Sequence, residues 1–202
     1  MEKDDLHAFL RSRRSIRRFK PDPVPPDCIQ HILQTAMFAP SAHNLQPWRF
    51  AVITSAEAKS RLAEAISTRF RQDMLLDGVP EAVIQGRVNR TIRRARQAPV
   101  IVILCRDVTQ VKPQPDLLRG QEEALMAIQS VALAGLQLLL AAHAEGLGGT
   151  WICWPLFAPG ETRSALGLPN EWEPQGMLFL GYPAETPEIP ARDSLEDVTR
   201  FL

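Results

Sequence analysis

The alternation of apolar and polar positions divides the chain into helices and strands. Leu6 and Leu10, at i, i+4 spacing, predict a short helix over Asp5–Arg13. The stiff segment PDPVPPD, Pro21–Asp27, follows it. Pro26 and Asp27 then open a helix to Ala39, with Ile29, Ile32, Leu33, Ala36 and Met37 on one face. Pro40 ends that helix, because the residue before a proline is disfavoured in the helical region. Aromatic and β-branched residues in alternation predict a strand over Trp48–Thr54. Ser55 reads as the N-cap of a helix to Met74, and Pro80–Arg96 as a second, strongly basic helix.

The continuous apolar run Pro99–Cys105 predicts a strand buried on both faces. Asp107–Asp116 reads as a proline-containing loop. Leu118–Glu145 carries the longest helical pattern, apolar nearly all round between Ala124 and Ala142. Such a helix belongs at the centre of a core or an interface. Gly146 breaks it. Leu147–Trp154 reads as loop then strand, Pro159–Leu166 as a short helix ending at Gly167, and Gln175–Tyr182 as a last strand. A proline-rich tail from Pro183 closes on SLEDVTRFL. Strands interleaved with helices around one dominant helix predict an α+β fold on a mixed or antiparallel sheet. No repeat interrupts the chain, so residues 1–202 read as one domain.

Composition adds mainly exclusions. A chain of 202 residues can bury a core without staples. Its formal net charge of zero gives no bulk reason to expect nucleic acid or an anionic membrane as partner. Any anion site must arise from local clustering. Cys28, Cys105 and Cys153 are widely spaced and form no CxxC, so neither a disulfide framework nor a structural zinc site is suggested. His7, His31, His43 and His143 show no metal-ligand spacing; His31 and His143 read as structural. The N-terminal MEKDDLHAFL has no apolar signal-peptide region. The stretch Val131–Ala144, interrupted by Gln137 and His143, reads as too short and too polar to span a bilayer. The expectation is a cytoplasmic protein.

Three segments carry candidate chemistry. In Arg11–Lys20, RSRRSIRRFK, six of ten residues are cationic. The planar arginine fork suits phosphate, while a solvated helix end is the alternative reading. The segment Ala39–Phe50, APSAHNLQPWRF, joins a helix to a strand through Ser41, His43, Asn44 and Gln46. These side chains both donate and accept, which suits a flavin pyrimidine or ribityl chain; a plain polar turn is the alternative. The segment Glu145–Pro155, EGLGGTWICWP, follows a helix and opens a strand, the reverse of a dinucleotide fingerprint. Its glycines therefore serve a helix cap and close backbone approach. Cys153 lacks a paired His and acid and reads as buried and inert.

Taken together, RRSIRRF, PSAHNLQPWRF, GLGGTWI, and GYP followed by ARDSLEDV resemble the motifs of the FMN-dependent nitroreductase family, in the family's order and across nearly the whole chain. The resemblance implies an α+β homodimer with a mixed sheet wrapped by helices, a long central helix at the interface, and two shared FMN sites. It implies that Arg13, Arg14, Ser15 and Arg17 hold phosphate, ribityl and pyrimidine groups from one subunit. Pro40, Ser41, Ala42 and Asn44 come from the other, with Gln46 supporting their loop. Cys153, Trp154 and Pro155 fall where the family places backbone beside flavin N5. Arg192 matches a late phosphate-binding residue. Pro190 and Ala191 stand where a further basic residue is common, which shifts phosphate binding toward the first motif. The segments RVNRTIRRARQAPVIVILC and LPNEWEPQGMLFLGYP are also similar to the C-terminal flavin domain of the two-domain ligase that makes the deazaflavin coenzyme F-420.

The implied activity is ping-pong reduction of a nitroaromatic, quinone or similar unsaturated small molecule by NAD(P)H through FMN, with no catalytic side chain and no metal. The alternatives are a dedicated reductase of a dehydro precursor of coenzyme F-420, a flavin-consuming synthase of the cobalamin lower ligand, a non-catalytic flavin-binding or redox-sensing protein, and a basic RNA-binding module. Ala127, Val131, Ala134, Gly135 and Leu138 are the residues expected to pack the long helix against a second subunit.

Overall fold

The computed structural model describes residues 2–202. In chain order it contains α1 (Lys3–Ser12), α2 (Pro26–Ala36), a single 3-10 turn (Ala42–Asn44), β1 (Trp48–Ile53), α3 (Ala56–Leu76) and α4 (Glu81–Gln97). Then come β2 (Val100–Asp107), α5 (Leu117–Ala144), β3 (Gly148–Ile152), α6 (Trp154–Phe157), α7 (Pro159–Leu166), β4 (Trp172–Gly181) and α8 (Leu195–Val198). The four strands form one sheet in the order β1-β2-β4-β3, antiparallel throughout. Among the described residues, parallel pairing enters only as a bridge between Ser15 and Gly149. The mixed sheet implied by the resemblance is thus antiparallel within its named strands.

Strand β2 is the hub. Its alternation sends Val100, Val102 and Leu104 into a core shared with α2 and α5, and Ile101, Ile103 and Cys105 into a second core shared with α3, α4 and β4. An uninterrupted apolar run is what a strand covered on both faces requires. Burial raises the Cys105 thiol to a pKa of about 12, which keeps it protonated and inert.

The caps follow the sequence. Ser55 accepts the Ala58 N–H, Asp116 accepts that of Arg119, and Gly146 and Gly167 take positive φ where α5 and α7 end. Elsewhere the boundaries move. Helix α2 stops at Ala36, and Phe38 and Ala39 bond back three residues in a tighter turn before Pro40. Strand β4 starts at Trp172 rather than Gln175, because the register shift opposite Leu104 and Cys105 skips Gln175 and lets pairing continue past Pro174. Strand β3 ends at Ile152, and α6 follows at once. Pro155 has no N–H for a strand ladder but fits the first turn of a helix.

Helix α5 departs from expectation in two ways. Ala127, Val131, Ala134, Gly135 and Leu138 are buried inside their own chain, not presented to a partner. Trp151 explains this. Its ring lies on Gly135 so closely that a Cβ there would overlap the ring and the Leu104 side chain. The opposite face leaves Leu118, Leu125, Leu133 and Leu136 exposed. In addition, α5 as a whole is long and apolar enough to cross a membrane by length and composition. The shorter stretch Val131–Ala144 understated it, because the helix continues apolar toward its N-terminus. Its inner face is nevertheless part of the protein core.

Candidate functional site

Three sequence segments converge on one sheet edge. The Ile16 N–H donates to Gly149 O at 3.0 Å, and the Ile16 side chain is buried over Gly148. Farther along, Lys20 N–H donates to Tyr182 O at 2.8 Å and Ala184 N–H to Arg18 O at 3.0 Å. The basic segment is therefore zipped between the start of β3 and the end of β4. Gly148 and Gly149 provide the close approach: three Ile16 carbons lie within 2.9 Å of where a Gly148 Cβ would be. This is the role the sequence suggested for these glycines.

The fold then gathers charge. Burial lowers the Arg13 pKa, and the neighbouring Arg14 and Arg192 guanidinium groups lower it further. His143 joins them. Its pKa is lowered by burial and then by Arg13 and Arg14, its ring stacks on Phe9 at 4.8 Å, and its Nε2 lies 2.7 Å from Ser12 Oγ. Arg14 Nη1 donates to the carbonyls of Arg11 and Arg13 and so closes the end of α1. Among the described residues, no carboxylate forms an ion pair with Arg13, Arg14 or Arg192. A partly buried Arg13 repelled by neighbouring guanidinium groups fits a phosphate.

Arg17 points elsewhere. It lines a cavity of about 190 Å³ with Thr150, Trp151, Ile152, Trp154 and Phe179, opposite Arg94 of α4. Trp154 sits edge-on to Phe179 and Phe70, at 5.8 and 6.4 Å. Pro155 is buried, whereas Cys153 is exposed. The buried, inert Cys153 of the sequence reading is thus corrected: β3 ends at Ile152, two residues before the expected Trp154, and Cys153 is left outside the core as the N-cap of α6.

The loop after α2 is strained and tightly held. His43, Asn44 and Gln46 all have positive φ, at 53°, 54° and 50°. Non-glycine residues keep such angles only where their surroundings impose them. Here Ser41 Oγ accepts the Gln46 N–H at 3.0 Å, leaving its own O–H to donate, and Ser130 Oγ accepts the Ala42 N–H at 3.2 Å. His43 Nε2 lies 3.6 Å from Glu123, and Gln46 Nε2 reaches Asn44 Oδ1 at 3.5 Å. Pro40 and Asn44 remain exposed. Among the described residues no hydrogen bond or ion pair joins the loop to Arg13, Arg14, Arg17 or Arg192. The cavity lined by Ala42 includes none of them, and the cavities lined by Arg17 include no residue of positions 40–46.

The comparison with known proteins now decides the family: the profile described as Nitroreductase family matches residues 10–182. The chain belongs to the nitroreductase family. It is 31% identical over 195 residues to a Bacillus subtilis protein provisionally named an NAD(P)H nitroreductase, covering 95% of this chain and 91% of that one. It is 34% identical over 199 residues to an NADH dehydrogenase of Thermus thermophilus, covering 90% and 88%. The fold matches a BluB-like flavoprotein from Clostridium difficile 630 with a TM-score of 0.77 and 25% identity, over 100% of this chain and 99% of the other.

Within this nitroreductase fold, the structure brings Arg13, Arg14 and Arg192 together, and places Arg17 beside Trp154. It keeps the Ser41–Gln46 loop apart from both. Sequence reasoning missed Arg94, although its helix was recognised as basic; the i, i+3 and i+4 spacing of Arg90, Arg93 and Arg94 was the available signal. It also missed Ser130 and Glu185, for which no local signal existed.

Proposed function

We propose that this nitroreductase-family chain is an FMN-dependent oxidoreductase that takes electrons from NAD(P)H and passes them to a small unsaturated acceptor. The observation that carries this reading is the docking of the basic segment, with Arg13, Arg14, Ser15 and Arg17, on the sheet edge at Gly149, with no carboxylate paired to Arg13 or Arg14 among the described residues and Arg192 near enough to act on Arg13. Bound there, FMN supplies the redox chemistry. Arg13 and Arg192 hold its phosphate, with Arg14 and Ser15 beside them. Arg17, beside Trp154, would hold the pyrimidine end, where a cation would favour extra negative charge on the ring. The backbone of Cys153, Trp154 and Pro155 flanks the ring.

The Pro40, Ser41, Ala42 and Asn44 groups come from a second copy of the chain, with Gln46 supporting their loop. A homodimer also covers the exposed leucines of α5; burying such a side chain fully contributes about 1.5–3 kcal/mol. An isologous interface of this kind creates two equivalent sites. Nitroaromatics, quinones and an unsaturated deazaflavin precursor are the acceptors to be compared, and the cytoplasm is where the nicotinamide reductant is drawn from.

The test is direct. Purified protein should release FMN on acid treatment, about one per subunit, and oxidise NADH or NADPH when a quinone or nitroaromatic is added. FMN recovered intact after turnover separates a reductase from a flavin-consuming synthase. Protein that binds no FMN, or binds it without reduction by either nicotinamide, overturns the reading.

A further inference from the structure

A second basic feature lies beyond the arginines assigned to the flavin. Helix α4 carries five arginines against one glutamate. Arg90, Arg93 and Arg94 stand at i, i+3 and i+4 on one exposed face. Like charges at that spacing disfavour a helix. Elsewhere the protein pairs many of its arginines: Arg49 with Asp107, Arg71 with Glu81, Arg96 with Glu64, Arg106 with Glu173. Arg90, Arg93 and Arg94 have no carboxylate within ion-pair distance among the described residues.

All three face one groove of about 1070 Å³, whose far wall is Arg17 and Arg18 of the basic segment. Glu185 is the single carboxylate in its lining. That carboxylate already shows what the far wall accepts. Its Oε1 takes the Arg17 N–H at 2.7 Å and the Arg18 N–H at 3.1 Å, successive backbone donors aimed at one oxyanion. The near wall, on α4, has no such internal anion. Arg17 and Arg94 line both this groove and the smaller cavity beside Trp154 and Phe179. A ligand held by α4 that extends past Arg17 and Arg94 reaches the cavity beside Trp154, where the flavin reading puts the ring.

We propose that the α4 face, through Arg90 and Arg93, binds the phosphate groups of the reacting small molecule and so selects phosphate-bearing reactants. This rests on the flavin reading above and adds the substrate class. The chemistry requires at least two negative charges on the ligand, since two unpaired guanidinium groups on adjacent helical turns can be bridged by one diphosphate. The phosphate belongs either to the nicotinamide reductant or to the acceptor. A groove of this volume admits a nucleotide-sized molecule.

The experiment uses FMN-loaded protein, so that the Arg13–Arg192 cluster is filled, and inorganic pyrophosphate as the probe. Calorimetry should show pyrophosphate binding that weakens with salt. The Arg90→Ala/Arg93→Ala double variant should bind it roughly 10- to 100-fold more weakly. An Arg61→Ala/Arg163→Ala variant, with the same charge loss on another surface, should bind it as wild type does. Steady-state kinetics then identify the source. A KM raised for NADH and NADPH, with acceptors unaffected, assigns the site to the reductant; a KM raised only for a phosphate-bearing quinone assigns it to the acceptor. Pyrophosphate binding equal in wild type and double variant, or a short single-stranded oligonucleotide bound more tightly than pyrophosphate, overturns the proposal. Failure of the flavin reading appears separately, as protein that takes up no FMN.

Discussion

The Arg192 guanidinium lies close enough to that of Arg13 to lower the latter's proton affinity, although the two residues stand at opposite ends of the chain. A like charge beside the partly buried Arg13 disfavours its charged form, and an anion bound there reverses the sign of that interaction. Arg192→Ala and Arg13→Ala should each weaken FMN binding by roughly 10- to 150-fold. Quenching of FMN fluorescence on titration reads the affinity. An unchanged affinity in both variants would return the cluster to a solvated surface feature.

His143 gives the same region a pH dependence. Burial, then Arg13 and Arg14, hold its pKa below the ordinary value of about 6.5. The unfolded chain therefore binds more protons than the folded one just below that value. The stabilisation from the neutral ring is complete above about pH 6.5 and is lost as pH falls through the lowered value. Urea midpoints should fall more steeply between pH 7.5 and 5 in wild type than in His143→Gln. FMN, by adding negative charge near Arg13, should raise the His143 pKa, as a titration of its ring proton resonance would show. Equal slopes in the two proteins would remove His143 from the linkage.

The Ile16–Gly148 contact sets where the arginines stand. Gly148→Ala places a methyl inside the van der Waals shell of Ile16, where the Ile16 Cβ lies 2.7 Å from the added carbon. Overpacking of this kind costs about 1–3 kcal/mol. Displacement of the basic segment should also weaken FMN binding. Denaturant unfolding measures the first effect and flavin titration the second. The Gly148→Ala/Ile16→Gly double variant, which removes the Ile16 Cβ as well as its branches, should recover FMN affinity relative to Gly148→Ala alone. If it recovers nothing, the contact does not position the segment.

The separation of the Ser41–Asn44 loop from the arginines within one chain has a quantitative consequence in a dimer. Arg17→Ala and Asn44→Ala should each impair FMN binding. When the two variants are refolded together, a heterodimer with shared sites has one wild-type site and one site carrying both changes. Half of its sites should then bind FMN with wild-type affinity. Verified heterodimers with no wild-type site would show that both motifs act within one chain. Leu133→Glu/Leu136→Glu should give a monomer by sedimentation that no longer retains FMN; a dimer that persists would exclude this face of α5 from the interface.

Periodicity and caps specify the elements whose faces they encode. The unbroken run Val100–Cys105 specified a strand covered on both sides, and Ser55, Gly146 and Gly167 marked helix ends that the structure contains. The sequence also carried the motifs that the family shares. Tertiary structure decided what local pattern leaves degenerate. A helix apolar nearly all round has no sequence asymmetry to say which side meets its own sheet. In α5 that choice is made by Trp151, which fits only against Gly135 and Gly176, and it turns Leu133 and Leu136 outward. The skipped Gln175 and the turn at Pro155 moved strand ends because pairing depends on a neighbouring strand that periodicity does not contain. The approach of Arg192 to Arg13, and the groove between α4 and Arg17–Arg18, exist only once distant segments pack, because charge proximity is a property of space and not of sequence separation.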